Sequence, residues 1–209
     1  MKLIFLGPPG AGKGTQAERV AKEFAIPQIS TGEILRQAMR EGTKTGLEAK
    51  TFIEKGELVP DGVILEIVRE RLRQPDCESG YLLDGFPRTL PQAEALEGIA
   101  RIDWVLNLSV GHEVIVERLS GRRSCEGCGH STHIGLAPDG ICPICGKRLV
   151  QRADDAAEAV ENRLRVYDAQ TKPLIGFYEG KGRLLTVDGG LPIDEVTATI
   201  FSALRRAAE

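Results

Sequence analysis

No apolar stretch in this 209-residue chain approaches the length that a bilayer-crossing helix needs. The N-terminus has only the run Leu3-Ile4-Phe5-Leu6 before Gly7, too short for the apolar core of a secretory signal. Net charge is also small. With 27 basic and 30 acidic residues the formal value is −3, so no global field draws the chain toward nucleic acid or an anionic membrane. An anion site, if one exists, must come from a local cluster of basic side chains. Internal repeats, low-complexity tracts and disordered linkers are absent, and residues 121–155 contain no aromatic residue. These absences lead us to expect a cytoplasmic protein built around a single core, with small insertions.

Cysteine is sparse but patterned. Cys77 stands alone and reads as a small buried side chain. The other four form Cys125-x2-Cys128-x13-Cys142-x2-Cys145. Two such knuckles suit one tetrahedral ion, and four thiolates favour Zn²⁺ in a closed, structural site. Two disulfides are the first alternative and conflict with the expected compartment. A nucleic-acid zinc knuckle is the second; it would call for aromatics and dense basic residues around the cysteines.

Short apolar runs alternate with helical periodicity. Strands are expected at Leu3–Leu6, Gln28-Ile29, Tyr81–Leu83, Trp104–Leu108 and Leu184–Val187. Between them, Ala17, Val20, Ala21 and Phe24 recur at helical spacing, as do Val63, Ile64, Ile67 and Val68 after Asp61, read as an N-cap. A last helix opening at Pro192 is expected to bury Val196, Ile200 and Leu204. The alternation implies a doubly wound α/β parallel sheet. Residues 30–59 and 121–155 break the rhythm and read as insertions on that sheet.

Gly7-Pro8-Pro9-Gly10-Ala11-Gly12-Lys13-Gly14-Thr15 lies between the first strand and the first helix, and it completes G-x4-G-K. Glycines there let backbone N–H groups and a helix N-terminus face phosphate oxygens, with Lys13 reaching the transferring groups. Gly14 stands where the common motif has Ser or Thr, and Thr15 follows. Asp84 closes the run Tyr81-Leu82-Leu83 at a strand end, a suitable place for a carboxylate that holds hydrated Mg²⁺. Asp154-Asp155 followed by Glu158 read both as a helix start of capping-box spacing and as an acidic pair that engages the second insertion. His112, His130 and His133 read as surface or insertion residues, and Arg19, Arg40 and Arg205 as solvated arginines.

Asp84-Gly85-Phe86-Pro87-Arg88-Thr89-Leu90-Pro91-Gln92-Ala93, GPPGAGKGTQ, Ile29-Ser30-Thr31-Gly32 and Gln151-Arg152-Ala153-Asp154-Asp155 occur in one order along the whole chain. In this the chain closely resembles the bacterial adenylate kinases, in the branch with a zinc-bearing lid. The resemblance implies a five-stranded sheet of order 2-3-1-4-5 and Mg²⁺-dependent reversible phosphoryl transfer from ATP to AMP, giving two ADP. It divides the chain into a core (1–29, 60–120 and 156–209), a monophosphate-binding insertion (30–59) and a zinc lid (121–155).

Carried over residue by residue, the resemblance places AMP on Thr31, Arg36, Glu57, Leu58, Val59, Gly85, Phe86, Pro87, Arg88, Gln92, Arg152 and Arg163. Gln92 would read the adenine edge. ATP would meet Gly10, Ala11, Gly12, Lys13, Gly14, Thr15, Arg118, Arg122 and Leu191. Lys13, Asp84, Arg88, Arg122, Arg152 and Arg163 would serve the transfer itself. At Thr132 the chain departs from that branch, which usually has Tyr there. The partners implied are small nucleotides rather than nucleic acid or membrane, and the chain would be a monomer. Two further readings stay open at this point. One is a sister kinase with a UMP or CMP acceptor or a GTP donor, against which Gln92 and Thr31 argue. The other is a regulatory P-loop ATPase with a zinc module, which gives the Asp84–Arg88 stretch no role.

Overall fold

A computed structural model describes residues 1–207. Five parallel strands form the main sheet: β1 (Lys2–Leu6), β2 (Gln28–Ser30), β3 (Tyr81–Asp84), β4 (Trp104–Ser109) and, last in the chain, a strand over Leu184–Asp188. Their order is β2-β3-β1-β4 followed by that last strand, as the resemblance implied. β1 runs at the centre, with Leu3 beside Leu82 and Trp104, and Phe5 beside Asp84 and Leu106.

Strand alternation sends successive side chains to opposite faces, so a sheet covered on both sides needs apolar residues at every position. β1 meets that demand. Ile4 and Leu6 pack with Ile29, Leu83, Val105, Leu174 and Tyr178 on one face. Leu3 and Phe5 pack with Val20, Leu106, Val196, Ile200 and Leu204 on the other. The second face is covered by α1 (Lys13–Glu23) and by the C-terminal helix Ile193–Ala207. The first is covered by α2 (Thr31–Arg40), α3 (Lys44–Glu54), α4 (Asp61–Leu72) and α5 (Leu90–Glu97). Cys77 is buried, as read from the sequence.

The second insertion follows α6 (His112–Ser120) and has its own antiparallel sheet of β5 (Arg122–Cys125), β6 (Ser131–His133) and β7 (Leu149–Val150), in the order β6-β5-β7. The chain then returns through α7 (Ala157–Val166), a π-helical turn (Tyr167–Thr171) and α8 (Pro173–Glu179) to the last strand, which is β8, and the last helix, α9.

Two local expectations are corrected. Asp61 is the first residue inside α4, with Pro60 in the cap position and no side-chain cap bond. The capping box at Asp154–Glu158 does not form either. Ala156 occupies the cap of α7 with no side-chain bond, and Ala153–Asp155 make a 3-10 turn. In both cases the carboxylates have better partners, described below. The expected anchors of the last helix hold, and Val196, Ile200 and Leu204 are all buried.

Candidate active site

In an open parallel sheet, ligands bind beyond the C-terminal strand ends where adjacent connections leave in opposite directions. Here β1 leads to β2 on one side, while β3 leads to β4 on the other, and β1 and β3 are neighbours. The G-x4-G-K loop leaves β1 at that point. Its turns require left-handed backbone at Gly10 (φ 80°) and Gly12 (φ 91°), which costs glycine nothing. α1 begins at Lys13, so the first free N–H groups of the helix lie at the loop.

Lys13 Nζ donates to the carbonyls of Gly7 (2.6 Å) and Pro8 (2.8 Å). Burial pushes its ammonium down to about 7. Asp84 opposes that shift, and Arg88, Arg163 and Arg122 add to it. One lysine thus feels four of the other residues singled out for the transfer step, contributed by β3, the loop after it, α7 and β5. Asp84 stands at the end of β3, beside Phe5 and Ser30 of the flanking strands. One carboxylate oxygen lies 3.5 Å from Gln28 Nε2 and within 4 Å of where a Cβ on Gly14 would project. Its position beside the loop suits a Mg²⁺ hydrate.

A cleft opens beside the loop, lined by Lys13, Thr31, Arg36, Glu57, Leu58, Val59, Gly85, Pro87, Arg88, Gln92 and Arg163. Those residues come from five separate stretches of chain, and the fold brings them together. Thr31 Oγ donates to the Gly85 carbonyl at 2.9 Å, and Arg88 Nε donates to the same oxygen at 2.7 Å. Phe86 is an exception among the expected AMP contacts. Its ring is fully buried in the core with residues of β1 and α5, and it does not line the cleft, although its neighbours Gly85 and Pro87 do. The cleft also contains residues that sequence reasoning missed: Leu35, Ile53, Ile64, Tyr167 and Thr171. Thr171 Oγ donates to the Arg88 carbonyl at 2.8 Å. No local pattern marks that π-helical turn; π turns often occur at functional sites.

The arginines crowd one another. Arg88 is held down to about 10 by burial, with Arg163 and Arg36 adding to the shift against Asp84. Arg152 is held down to about 9 by burial, with Arg36 and Arg122 adding to the shift against Asp154 and Asp155. Arg163 is lowered chiefly by burial. Fixed guanidiniums this close carry an unfavourable mutual repulsion that a bound polyanion relieves. Two carboxylates offset part of it. Asp155 accepts two hydrogen bonds from Arg122, the Nε one at 2.7 Å, and a third from Arg163 at 3.0 Å. Asp154 lies 3.0 Å from Arg163 Nη1, and its acidity is raised by Arg163, Arg122 and Arg152 although burial opposes this. Of the two readings of this acidic pair, engagement of the insertion is the one observed.

Arg152 does not line the main cleft. It borders a second recess with Arg36, Glu33, Arg40, Lys50, Ser124 and Gly129, between α2–α3 and the small sheet. Arg36 lines both spaces. Arg118 donates to the Gly189 carbonyl at 2.8 Å, which ties α6 to the segment bearing Leu191, itself well exposed. Arg19, Arg40 and Arg205, read from the sequence as solvated arginines, keep partly exposed side chains and make ion pairs with Asp194, Glu33 and Glu23.

The four patterned cysteines converge. Cys125 and Cys145 sulfurs lie 3.3 Å apart, Cys128 and Cys142 sulfurs 3.6 Å apart, and all four fall within 4.8 Å of one another. A disulfide needs an S–S distance of about 2.05 Å, so neither pair is one. A tetrahedron with Zn–S of about 2.3 Å has edges of about 3.8 Å, which these separations approach. The two knuckles repeat one design. Cys125 N–H donates to His130 O and Cys142 N–H to Lys147 O, each at 2.8 Å; Gly129 (φ 75°) and Gly146 (φ 70°) close the turns. The Cys128 backbone N–H draws the Cys125 thiol down to about 6. Four neighbouring thiols cannot all ionise without a cation, and a divalent ion resolves that conflict. Cys125, Cys142, Ala137 and Leu149 form a small core beneath the cluster, more than the polar composition of the segment suggested.

A sequence model of the adenylate kinase family matches residues 5–183. Curated relatives named adenylate kinase align end to end. One from Methanosarcina acetivorans is 54% identical with full coverage of both chains. One from Finegoldia magna is 53% identical over 99% of this chain and all of its own. A third, from Bacillus pumilus, is 53% identical over 98% of each.

Proposed function

This chain belongs to the adenylate kinase family and transfers a phosphoryl group between ATP and AMP, and we propose that the cleft, loop and arginines described above divide that work as follows. AMP lies in the cleft, its phosphate against Arg36, Arg88 and Arg163 and its base toward Gln92. The ATP phosphates lie on residues 10–15 and Lys13, and the ATP base between Arg118 and Leu191. Arg122 and Arg152 complete the charge around the transferring group. An AMP phosphate oxygen attacks the γ-phosphorus, the bond to the β–γ bridging oxygen breaks, and ADP leaves on each side. No general base is required, because the AMP phosphate is already an anion. Catalysis then rests on alignment and charge stabilisation, for which a transition-state arginine is worth roughly 10³–10⁵ in rate in comparable enzymes. The observation that carries this reading is that half-buried Lys13 shares one cleft with Arg88 and Arg163 and feels the charges of Asp84 and Arg122 as well.

Zinc in the Cys125, Cys128, Cys142 and Cys145 cluster is structural, since four thiolates leave no open position for substrate. Mg²⁺ accompanies ATP; Asp84, beside the loop that carries Gly14 and Thr15, would hold its hydration shell and supply charge neutralisation. We further read residues 30–59 and 121–155 as the two moving parts, closing so that water cannot compete as acceptor. No helix among the described residues is long and apolar enough to cross a membrane. We read the enzyme as a cytoplasmic monomer, which size-exclusion chromatography checks.

The test is phosphoryl transfer from Mg²⁺-ATP to AMP, UMP, CMP and GMP in parallel. Strong preference for AMP, with ADP formed reversibly, is expected. Preference for another acceptor would keep the mechanism and overturn the base assignment at Gln92.

A further inference from the structure

Gln92 is 2% exposed, and its carboxamide is gripped at both ends. Oε1 accepts the Arg88 backbone N–H at 2.7 Å, and Nε2 donates to Asp61 Oδ1 at 2.6 Å. The other Asp61 oxygen accepts the Thr89 hydroxyl at 3.0 Å, and Thr89 Oγ in turn accepts the Gln92 backbone N–H at 3.3 Å. A backbone N–H only donates and a carboxylate only accepts. Turning the carboxamide over would therefore set N–H against N–H and oxygen against carboxylate. These partners define which end is oxygen.

After both internal bonds, Gln92 retains one N–H and one oxygen lone pair for the cleft it lines. A 6-aminopurine presents a donor at N6 beside an acceptor at N1. A 6-oxopurine has the same outline and presents the reverse, an acceptor at O6 beside a donor at N1. With the phosphate fixed by arginines the ring cannot turn over, so the order of donor and acceptor along its edge decides which purine fits. We propose that Asp61 is a specificity-determining positioning residue, holding the Gln92 amide in the one orientation that accepts 6-amino and rejects 6-oxo purine monophosphates. The proposal rests on the reading that Gln92 faces the acceptor base. It gives Asp61, read from the sequence as a helix cap, a function that its helix does not require.

The experiment compares kcat/KM for AMP and for inosine monophosphate, which differ only at this edge, in the unaltered enzyme, Asp61→Asn, Asp61→Ala and Gln92→Leu. In Asp61→Ala the AMP-to-IMP preference should fall about tenfold or more, the scale of a bidentate base contact, and in Asp61→Asn, which keeps one acceptor oxygen for Gln92 Nε2, it should fall less. KM for AMP should rise while KM for ATP and kcat stay near their original values. An Asp61 that served only the start of its helix would lower the melting temperature and leave the preference intact. That result, with discrimination lost in Gln92→Leu, overturns the proposal and keeps the base assignment. Discrimination that survives Gln92→Leu overturns the assignment itself. A measurement on the unaltered enzyme covers variants that fail to fold. One Gln92 side-chain amide proton, held by the Asp61 carboxylate, should exchange slowly by NMR, and rapid exchange of both protons would overturn the proposal.

Discussion

Arg122 Nε donates to Asp155 Oδ2 at 2.7 Å, joining the strand on which the zinc-bearing insertion begins to the turn on which it ends. The Asp155 side chain is fully buried and also receives Arg163, so one carboxylate serves two guanidiniums from different elements. Asp155→Ala should leave both arginines underpaired, costing about 3–5 kcal/mol in the region they share. The expected outcome is a lower melting temperature and faster hydrogen exchange across residues 122–150. Unchanged exchange there would show that the pair does not anchor the insertion.

Lys13→Ala should reduce kcat by several orders of magnitude, since the proposed assignment puts the ammonium where charge develops on the transferring group. The fold should survive, because the side chain contributes a desolvated cation rather than apolar packing. Circular dichroism and turnover, measured on one preparation, separate the two effects. Near-normal turnover would remove Lys13 from the assigned role.

The position of Lys13 near 7, set chiefly by burial, leads to a pH effect. A polyphosphate beside the amine stabilises its charged form and raises the value again. ATP binding should therefore take up protons at pH 8, where much of the free enzyme has Lys13 neutral, and little at pH 6. Titration calorimetry in buffers of different ionisation enthalpy reads this directly. The sign for folding agrees: the folded value lies below the unfolded one, so the unfolded state binds more protons between about 7 and 10.5. The Lys13 contribution to stability therefore rises with pH across that window.

Chelation of the metal, or Cys128→Ser, should lower thermal stability and loosen the insertion, whose own core is only Cys125, Ala137, Cys142 and Leu149. A structural zinc is worth on the order of 10 kcal/mol of apparent binding energy in small modules. Metal content by elemental analysis should fall with the melting temperature. Full metal content with an unchanged melting curve in Cys128→Ser would refute a four-sulfur site.

Thr171→Val keeps shape and removes the hydroxyl that donates to the Arg88 carbonyl. Loss of about 1 kcal/mol at that bond corresponds to roughly a fivefold rise in KM for AMP, with KM for ATP unchanged. Equal changes in both constants would indicate a general loosening rather than support of the AMP loop.

Much of the site was legible because its chemistry is written in contiguous residues. A glycine loop between a strand and a helix, Asp84 through Gln92 and the paired cysteines each specify a local backbone path, and the structure places each where expected. The cap readings of three acidic residues failed for one shared reason, while the second reading of Asp154 and Asp155, engagement of the insertion, held. Asp61, Asp154 and Asp155 all sit at or beside helix starts, where local rules assign them to capping. Each finds instead a charged or amide partner beyond its own first turn, Gln92 for Asp61, Arg163 for Asp154, and Arg122 with Arg163 for Asp155, worth more than a cap in a buried setting. Thr171 and Tyr167 were missed because nothing nearby distinguishes a π-helical turn from ordinary helix.

From the sequence alone came the parallel sheet, the phosphate loop and the metal ligands, since strand periodicity, glycine placement and ligand spacing act over a few residues. Only the tertiary structure decided that Ile4 and Leu3 serve different cores, that three arginines and an aspartate from separate elements act on one lysine, and that Asp61 and the Arg88 N–H settle which way the Gln92 amide points. Those outcomes depend on which distant groups meet once the chain is packed, and hydrogen bonds and charges choose among partners by distance in space rather than along the chain.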